Sequence, residues 1–109
     1  MNQSVAYNLS FAYNINMAYI CPICGFSKLK TPTRNPTICP ACGTRFGIDD
    51  SSAKFPKRMS SAGIRRELTL AWFESGMLWW GSGRERPKDW DPKIELRNTE
   101  FYKNLQSEI

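Results

Sequence analysis

The 109-residue sequence contains no histidine, no acidic residue before Asp49 and no cysteine beyond Cys21, Cys24, Cys39 and Cys42. Each absence narrows the chemistry. Without histidine the usual general base and the commonest metal ligand are both missing, and no phosphate loop, nucleophile triad or paired-carboxylate constellation can be found. An enzyme is therefore not expected. Asp49-Asp50 reads as a turn and helix-entry pair. The sequence also lacks a long apolar run, because Tyr7 to Tyr19 is interrupted by Asn8, Ser10, Asn14 and Asn16 and the start carries no basic residue. Neither a signal peptide nor a membrane span is expected.

What is present is one small domain's worth of chain, 41% hydrophobic and 23% charged. Residues 1–16 read as an optional N-terminal extension, and 17–109 as a single domain with a metal-binding part at 19–48 and a helical part at 60–107. A core this small needs a staple. The cysteines supply one, since they fall in two pairs, Cys21-Pro22-Ile23-Cys24 and Cys39-Pro40-Ala41-Cys42, with fourteen residues between them. Disulfide frameworks scatter their cysteines, whereas Cys-x2-Cys-x14-Cys-x2-Cys has metal-ligand spacing. A reducing, cytoplasmic location is expected. All four thiols as ligands leave no open coordination position, which implies one structural Zn²⁺. Iron in a rubredoxin-like centre is the less favoured alternative, since paired knuckles with neighbouring aromatics such as Tyr19, Phe26 and Phe46 suit it too.

Tyr19-Ile20 and Thr37-Ile38 read as short strands, each leading a cysteine pair into a tight turn, where a proline fixes φ and Gly25 or Gly43 permits the return. The expected fold class is a small α+β, metal-stabilised zinc ribbon, two zinc knuckles on short antiparallel strands packed against one or two helices. The first helix is expected from Ser60-Ser61 to Gly76, with Ile64, Leu68, Ala71, Trp72 and Ser75 on one face. A second is expected to start at Asp91-Pro92 and to run through Ile94, Leu96, Phe101 and Leu105. Between them lie Met77-Leu78-Trp79-Trp80 and a flexible Gly81-Ser82-Gly83 turn.

These strings, namely Cys-Pro-Ile-Cys-Gly-Phe, Cys-Pro-Ala-Cys-Gly-Thr-Arg-Phe-Gly-Ile-Asp-Asp, Ala-Trp-Phe-Glu-Ser-Gly-Met-Leu-Trp-Trp and Trp-Asp-Pro-Lys-Ile-Glu-Leu-Arg-Asn, resemble small stand-alone bacterial zinc-ribbon proteins. They are similar in style to the cysteine-rich CPCC family over about residues 19–98, with Ile23 where that family has a further cysteine. The resemblance implies a zinc-binding bacterial protein and no reaction.

Two binding surfaces are open to the remaining residues. Four tryptophans, Trp72, Trp79, Trp80 and Trp90, read first as cover for the metal site. If Trp79 and Trp80 are extended, however, their side chains point opposite ways and one of them is free to anchor a protein partner, with Arg84 beside it. The alternative is nucleic acid. Residues 1–48 hold Lys28, Lys30, Arg34 and Arg45 and no acid, whereas the remainder has eleven basic against ten acidic residues. Lys54, Lys57, Arg58, Arg65 and Arg66 cluster near the first helix and read as a solvated face. The formal charge of +5 falls to about +3 once four thiolates and a dication are counted, which is low for a strong nucleic-acid binder. No membrane or small-molecule partner is expected.

Overall fold

The structure, a computed structural model, describes residues 18–55 and 59–107. The extension at 1–16 and the pair Lys57 and Arg58 lie outside the described residues. Among those described, no helix is long and apolar enough to cross a membrane.

The cysteine pairs sit in two turns of the same design. Cys21 N–H donates to the Phe26 carbonyl at 2.9 Å and Gly25 N–H to the Cys21 carbonyl at 2.9 Å. Cys39 N–H to Thr44 (3.0 Å) and Gly43 N–H to Cys39 (2.7 Å) repeat that pattern eighteen residues later. Gly25 and Gly43 have φ of 84° and 80°, values at which a side chain is strained. The expected strands are not there. Among the described residues the β pairing consists of two isolated antiparallel bridges, Tyr19 with Leu29 and Ile38 with Arg45, one inside each knuckle and none between them. Prolines and the turn-rich tract from Lys30 to Pro36 keep the ladders from extending.

Helix α1 spans Ser61–Glu74. Ser60 caps it by accepting from Gly63 N–H. Its far end closes through Gly76 (φ 105°), with Gly76 N–H on the Phe73 carbonyl and Met77 N–H on the Trp72 carbonyl, both at 3.1 Å, the paired bonds of a Schellman motif. Both serine and glycine signals therefore stand. The buried face is rotated from the expected one, because Ala71 and Ser75 are exposed while Thr69 is buried between Ile64 and Trp72. Thr69 turns inward because its hydroxyl has two carbonyls to reach there.

The second helical region starts as expected, with Asp91 accepting from Lys93 N–H and Pro92 in the first turn of α2, Pro92–Glu95. It does not continue unbroken. A 3-10 turn at Leu96–Asn98 ends at Thr99, whose backbone is extended (φ −93°, ψ 153°). There the buried hydroxyl donates to the Leu96 carbonyl at 2.8 Å and accepts from Tyr102 N–H at 3.1 Å, opening α3, Glu100–Ser107. Threonine satisfies its own hydroxyl by breaking the helix. Leu96 is buried, Ile94 and Leu105 are exposed, and Phe101 reaches α1 by a tilted contact with Phe73, ring centres 6.5 Å apart. Arg65 and Glu100 join the same two helices at 2.8 Å.

The core is built around the cysteines, with Ile23, Phe26, Leu29, Phe46 and Trp72 closing over them. The folded unit is thus a cysteine-centred core under a helical cover.

Candidate metal centre

Each knuckle presents two sulfurs to the same point, and all four Sγ atoms lie within 4.8 Å of one another. Cys21 Sγ is 3.8 Å from Cys42 Sγ, and Cys24 Sγ is 3.7 Å from Cys39 Sγ. Those contacts join one knuckle to the other, and they are far longer than the ~2.05 Å of a disulfide. A regular tetrahedron with metal–sulfur bonds of ~2.3 Å has edges of about 3.8 Å. The cluster could therefore hold a single metal ion through Cys21, Cys24, Cys39 and Cys42.

Electrostatics agree with that reading. Burial pushes the Cys21 thiol above its ordinary value. Hydrogen bonding, first with Cys21, pushes Cys24 up, and the same thiol network, again led by Cys21, pulls Cys42 down. The crowding thus favours the Cys42 thiolate at the expense of Cys21 and Cys24. Four thiolates can coexist here only around a cation.

The surroundings hold the sulfurs in place. Ile23 N–H points at Cys21 Sγ (3.4 Å), and the buried Thr44 hydroxyl lies 3.1 Å from Cys42 Sγ. Thr69 Oγ1, on α1, is 2.6 Å from the Ile23 carbonyl and 2.9 Å from that of Arg65. One hydroxyl proton serves both. Glu95 accepts from Ser27 N–H and Oγ at 3.3 and 3.1 Å, while Asn98 Nδ2 donates to the Gly25 carbonyl at 2.9 Å. These clamps were not found in the sequence. Glu95 and Asn98 fall in the Trp90–Asn98 string, but nothing in that string marks them as clamps, and the only available sign of Thr69 was its place between apolar residues three before Trp72 and five after Ile64.

The remaining candidates separate. Trp79 turns inward, its ring in edge contact with Phe26 at 5.4 Å and Trp90 at 5.2 Å, and its indole N–H donates to the Ser82 carbonyl at 2.8 Å. Trp80 goes the other way and is 61% exposed, lying over Gly43. Its backbone and that of Gly81 donate to the Ala41 and Pro40 carbonyls at 3.0 and 2.8 Å, so this segment is fastened to the second knuckle. The Gly81-Ser82-Gly83 turn is likewise ordered by bonds from Arg84 N–H to Ser82 Oγ (3.1 Å) and Glu85 N–H to Ser82 O (3.0 Å).

Of the four cations in the first half, Arg45 is engaged by Asp49 at 2.9 Å and Lys28 by Asp89 at 3.2 Å. Lys30 and Arg34 are exposed. Arg45 holds the Asp49 carboxyl down at about 2, and Asp49 and Asp50 accept from Arg45 N–H (2.8 Å) and Gly47 N–H (2.6 Å), closing the turn after the second knuckle. Lys54 adds a bridge to Asp49 at 3.3 Å.

Set against protein-family models, curated proteins and solved structures, the chain matches none, so its likeness to the CPCC family extends no further than the motif residues that carry it.

Proposed function

We propose that the chain is a non-catalytic, cytoplasmic protein-interaction module whose fold is closed by one structural zinc ion on Cys21, Cys24, Cys39 and Cys42. The observation that carries the metal assignment is the sulfur spacing, two inter-knuckle contacts of 3.8 and 3.7 Å at the edge length of a zinc tetrathiolate. Four sulfur ligands leave no vacancy for water or substrate, so the ion's work is structural. Zinc is the metal this closed set most often serves.

The interaction reading rests on the strip after α1. Leu78 and Trp80 are 72% and 61% exposed on a segment whose backbone is fixed to the second knuckle. An exposed indole on a fixed backbone is the kind of anchor that dominates protein interfaces. Trp79 positions that segment from inside.

Metal analysis of the purified protein tests the first part. One zinc per chain and no colour is expected, whereas a red protein with one iron would replace this reading with electron transfer. A photo-crosslinking residue at position 80, compared with one at exposed Lys103, tests the second. A discrete protein adduct from position 80 alone is expected, and identical patterns from both positions would contradict it.

A further inference from the structure

We propose that a cationic track formed by Lys28, Lys30, Arg84, Arg86 and Lys88 binds single-stranded nucleic acid. This surface takes in Arg84, which the sequence placed beside the protein anchor, and is otherwise distinct from the Leu78–Trp80 strip assigned to a protein partner.

The track arises because residues over fifty positions apart meet. Lys28, Lys30 and Arg84 line one groove of about 490 Å³, whose floor includes Leu29 and Ile38. Arg84, Arg86 and Lys88 line a second, of about 630 Å³, whose wall includes the half-buried Trp90. Arg84 lines both, so the two grooves adjoin at that residue. Each is far larger than a single phosphate requires and has the dimensions of an ordinary ligand site.

Charge accounts for the ligand's sign. All five cations are exposed. Only Lys28 makes an ion pair among the described residues, and that pair, to Asp89, is itself exposed. Four acids lie about these five cations: Glu85 in the first groove, and Asp89, Asp91 and Glu95 in a neighbouring pocket shared with Lys28. The second groove, lined by Arg84, Arg86 and Lys88, has no acid in its lining.

The grooves favour a single strand. Phosphates spaced along a flexible backbone can follow cations around a bend, while bases stack on aromatic faces, and the half-buried Trp90 lines the second groove. An acidic peptide would satisfy the cations but has no use for the aromatic wall. A duplex keeps its base faces stacked out of reach. The loop is also preorganised, since Ser82 ties down Arg84 and Glu85 and Pro87 accepts from Trp90 N–H at 3.1 Å. A preordered loop backbone loses less entropy on binding.

The test uses the full, metal-loaded chain and fluorescein-labelled 15-mers of oligo-dT and oligo-rU, followed by anisotropy at 50 and 200 mM salt. With about five phosphates neutralised, the single-strand slope of about −0.7 per phosphate predicts a roughly 100-fold loss of affinity between those salt concentrations. The triple variant Arg84→Ala, Arg86→Ala, Lys88→Ala should lose at least about 30-fold. A charge-matched control, Lys54→Ala, Arg66→Ala, Lys103→Ala, removes cations from outside both grooves and should stay within about threefold of wild type. Should the triple variant fold poorly, by metal content and circular dichroism, Arg86→Ala and Lys88→Ala singly should each cost about threefold to fivefold. The proposal is overturned by no binding at 50 mM salt, by a duplex or a 15-residue polyglutamate binding as tightly as the single strand, or by variants and control behaving alike.

Discussion

The first knuckle, Cys21 to Phe26, and the second, Cys39 to Thr44, make the same backbone bonds and use glycine at the same point, yet they are covered in different ways. Ile23, Cys24, Gly25 and Phe26 are all buried, and the backbone of α2 is pressed against Gly25 while Thr69, Glu95 and Asn98 bond to the surrounding turn. Over the second knuckle there is one indole, that of Trp80, itself 61% exposed, and Cys42 and Gly43 remain half-exposed. The same turn is thus buried through to its glycine in one place and open at Cys42 and Gly43 in the other, where Cys39, Ala41 and Thr44 stay buried. Turn chemistry fixes where the sulfurs point, and what packs above fixes how much change the turn tolerates.

The largest difference should come from paired substitutions. At Gly25 a Cβ would collide with the Glu95 carbonyl, which cannot move without α2. Gly25→Ala should cost more than about 3 kcal/mol or abolish folding. At Gly43 a Cβ would meet Trp80 ring atoms at 2.6–2.7 Å, but an exposed ring can swing away, leaving the positive-φ strain of about 1–2 kcal/mol. Thermal or denaturant unfolding of the two variants measures this, and equal losses would mean that the two covers are equivalent.

Trp80→Ala sharpens the same point. In that background Gly43→Ala should become cheaper by about 0.5–1 kcal/mol, a coupling that a double-mutant cycle reads directly. Additivity would show that the ring does not press on Gly43. Next in size are the threonines. Thr69→Val leaves the buried Ile23 carbonyl without its donor and should cost about 1–3 kcal/mol, whereas Thr44→Val, beside half-exposed Cys42, should cost about 1 kcal/mol or less.

How much of this was legible depended on whether the cause was local. Both cysteine pairs, their glycines, the Ser60 cap, the Gly76 stop and the Asp91-Pro92 start announce themselves within a few residues, because turn and cap geometry is decided there. Opposite facing of Trp79 and Trp80 was legible only on the condition that the pair is extended. Among the described residues the strands did not form, since prolines and the turn-rich tract from Lys30 to Pro36 stop each ladder at a single bridge. The helix break at Thr99 was missed because the hydroxyl's competition for the Leu96 carbonyl depends on the residue being buried. Arg84's meeting with Lys28 and Lys30 is tertiary, and spacing cannot reveal it.

The smallest effect concerns acid. Asp49's carboxyl is held at about 2 against an ordinary 3.8 by Arg45. Its contribution is therefore complete above the higher value and is lost as pH falls from there towards the lower one. Thiolate ligands take up protons and release their metal at higher pH than that. Asp49→Asn should consequently leave the acid-unfolding midpoint unchanged and lower stability at neutral pH by less than about 1 kcal/mol. A shifted midpoint would place the acid-sensitive step at the second knuckle's turn and not at the cysteines.

The central claim is that one ion joins the two knuckles through all four cysteines. X-ray absorption at the zinc edge of the purified protein tests it most directly. The account predicts four sulfur scatterers at ~2.3 Å and no nitrogen or oxygen in the first shell. Three sulfurs with a light atom, or a protein that folds fully with no bound metal, would contradict it.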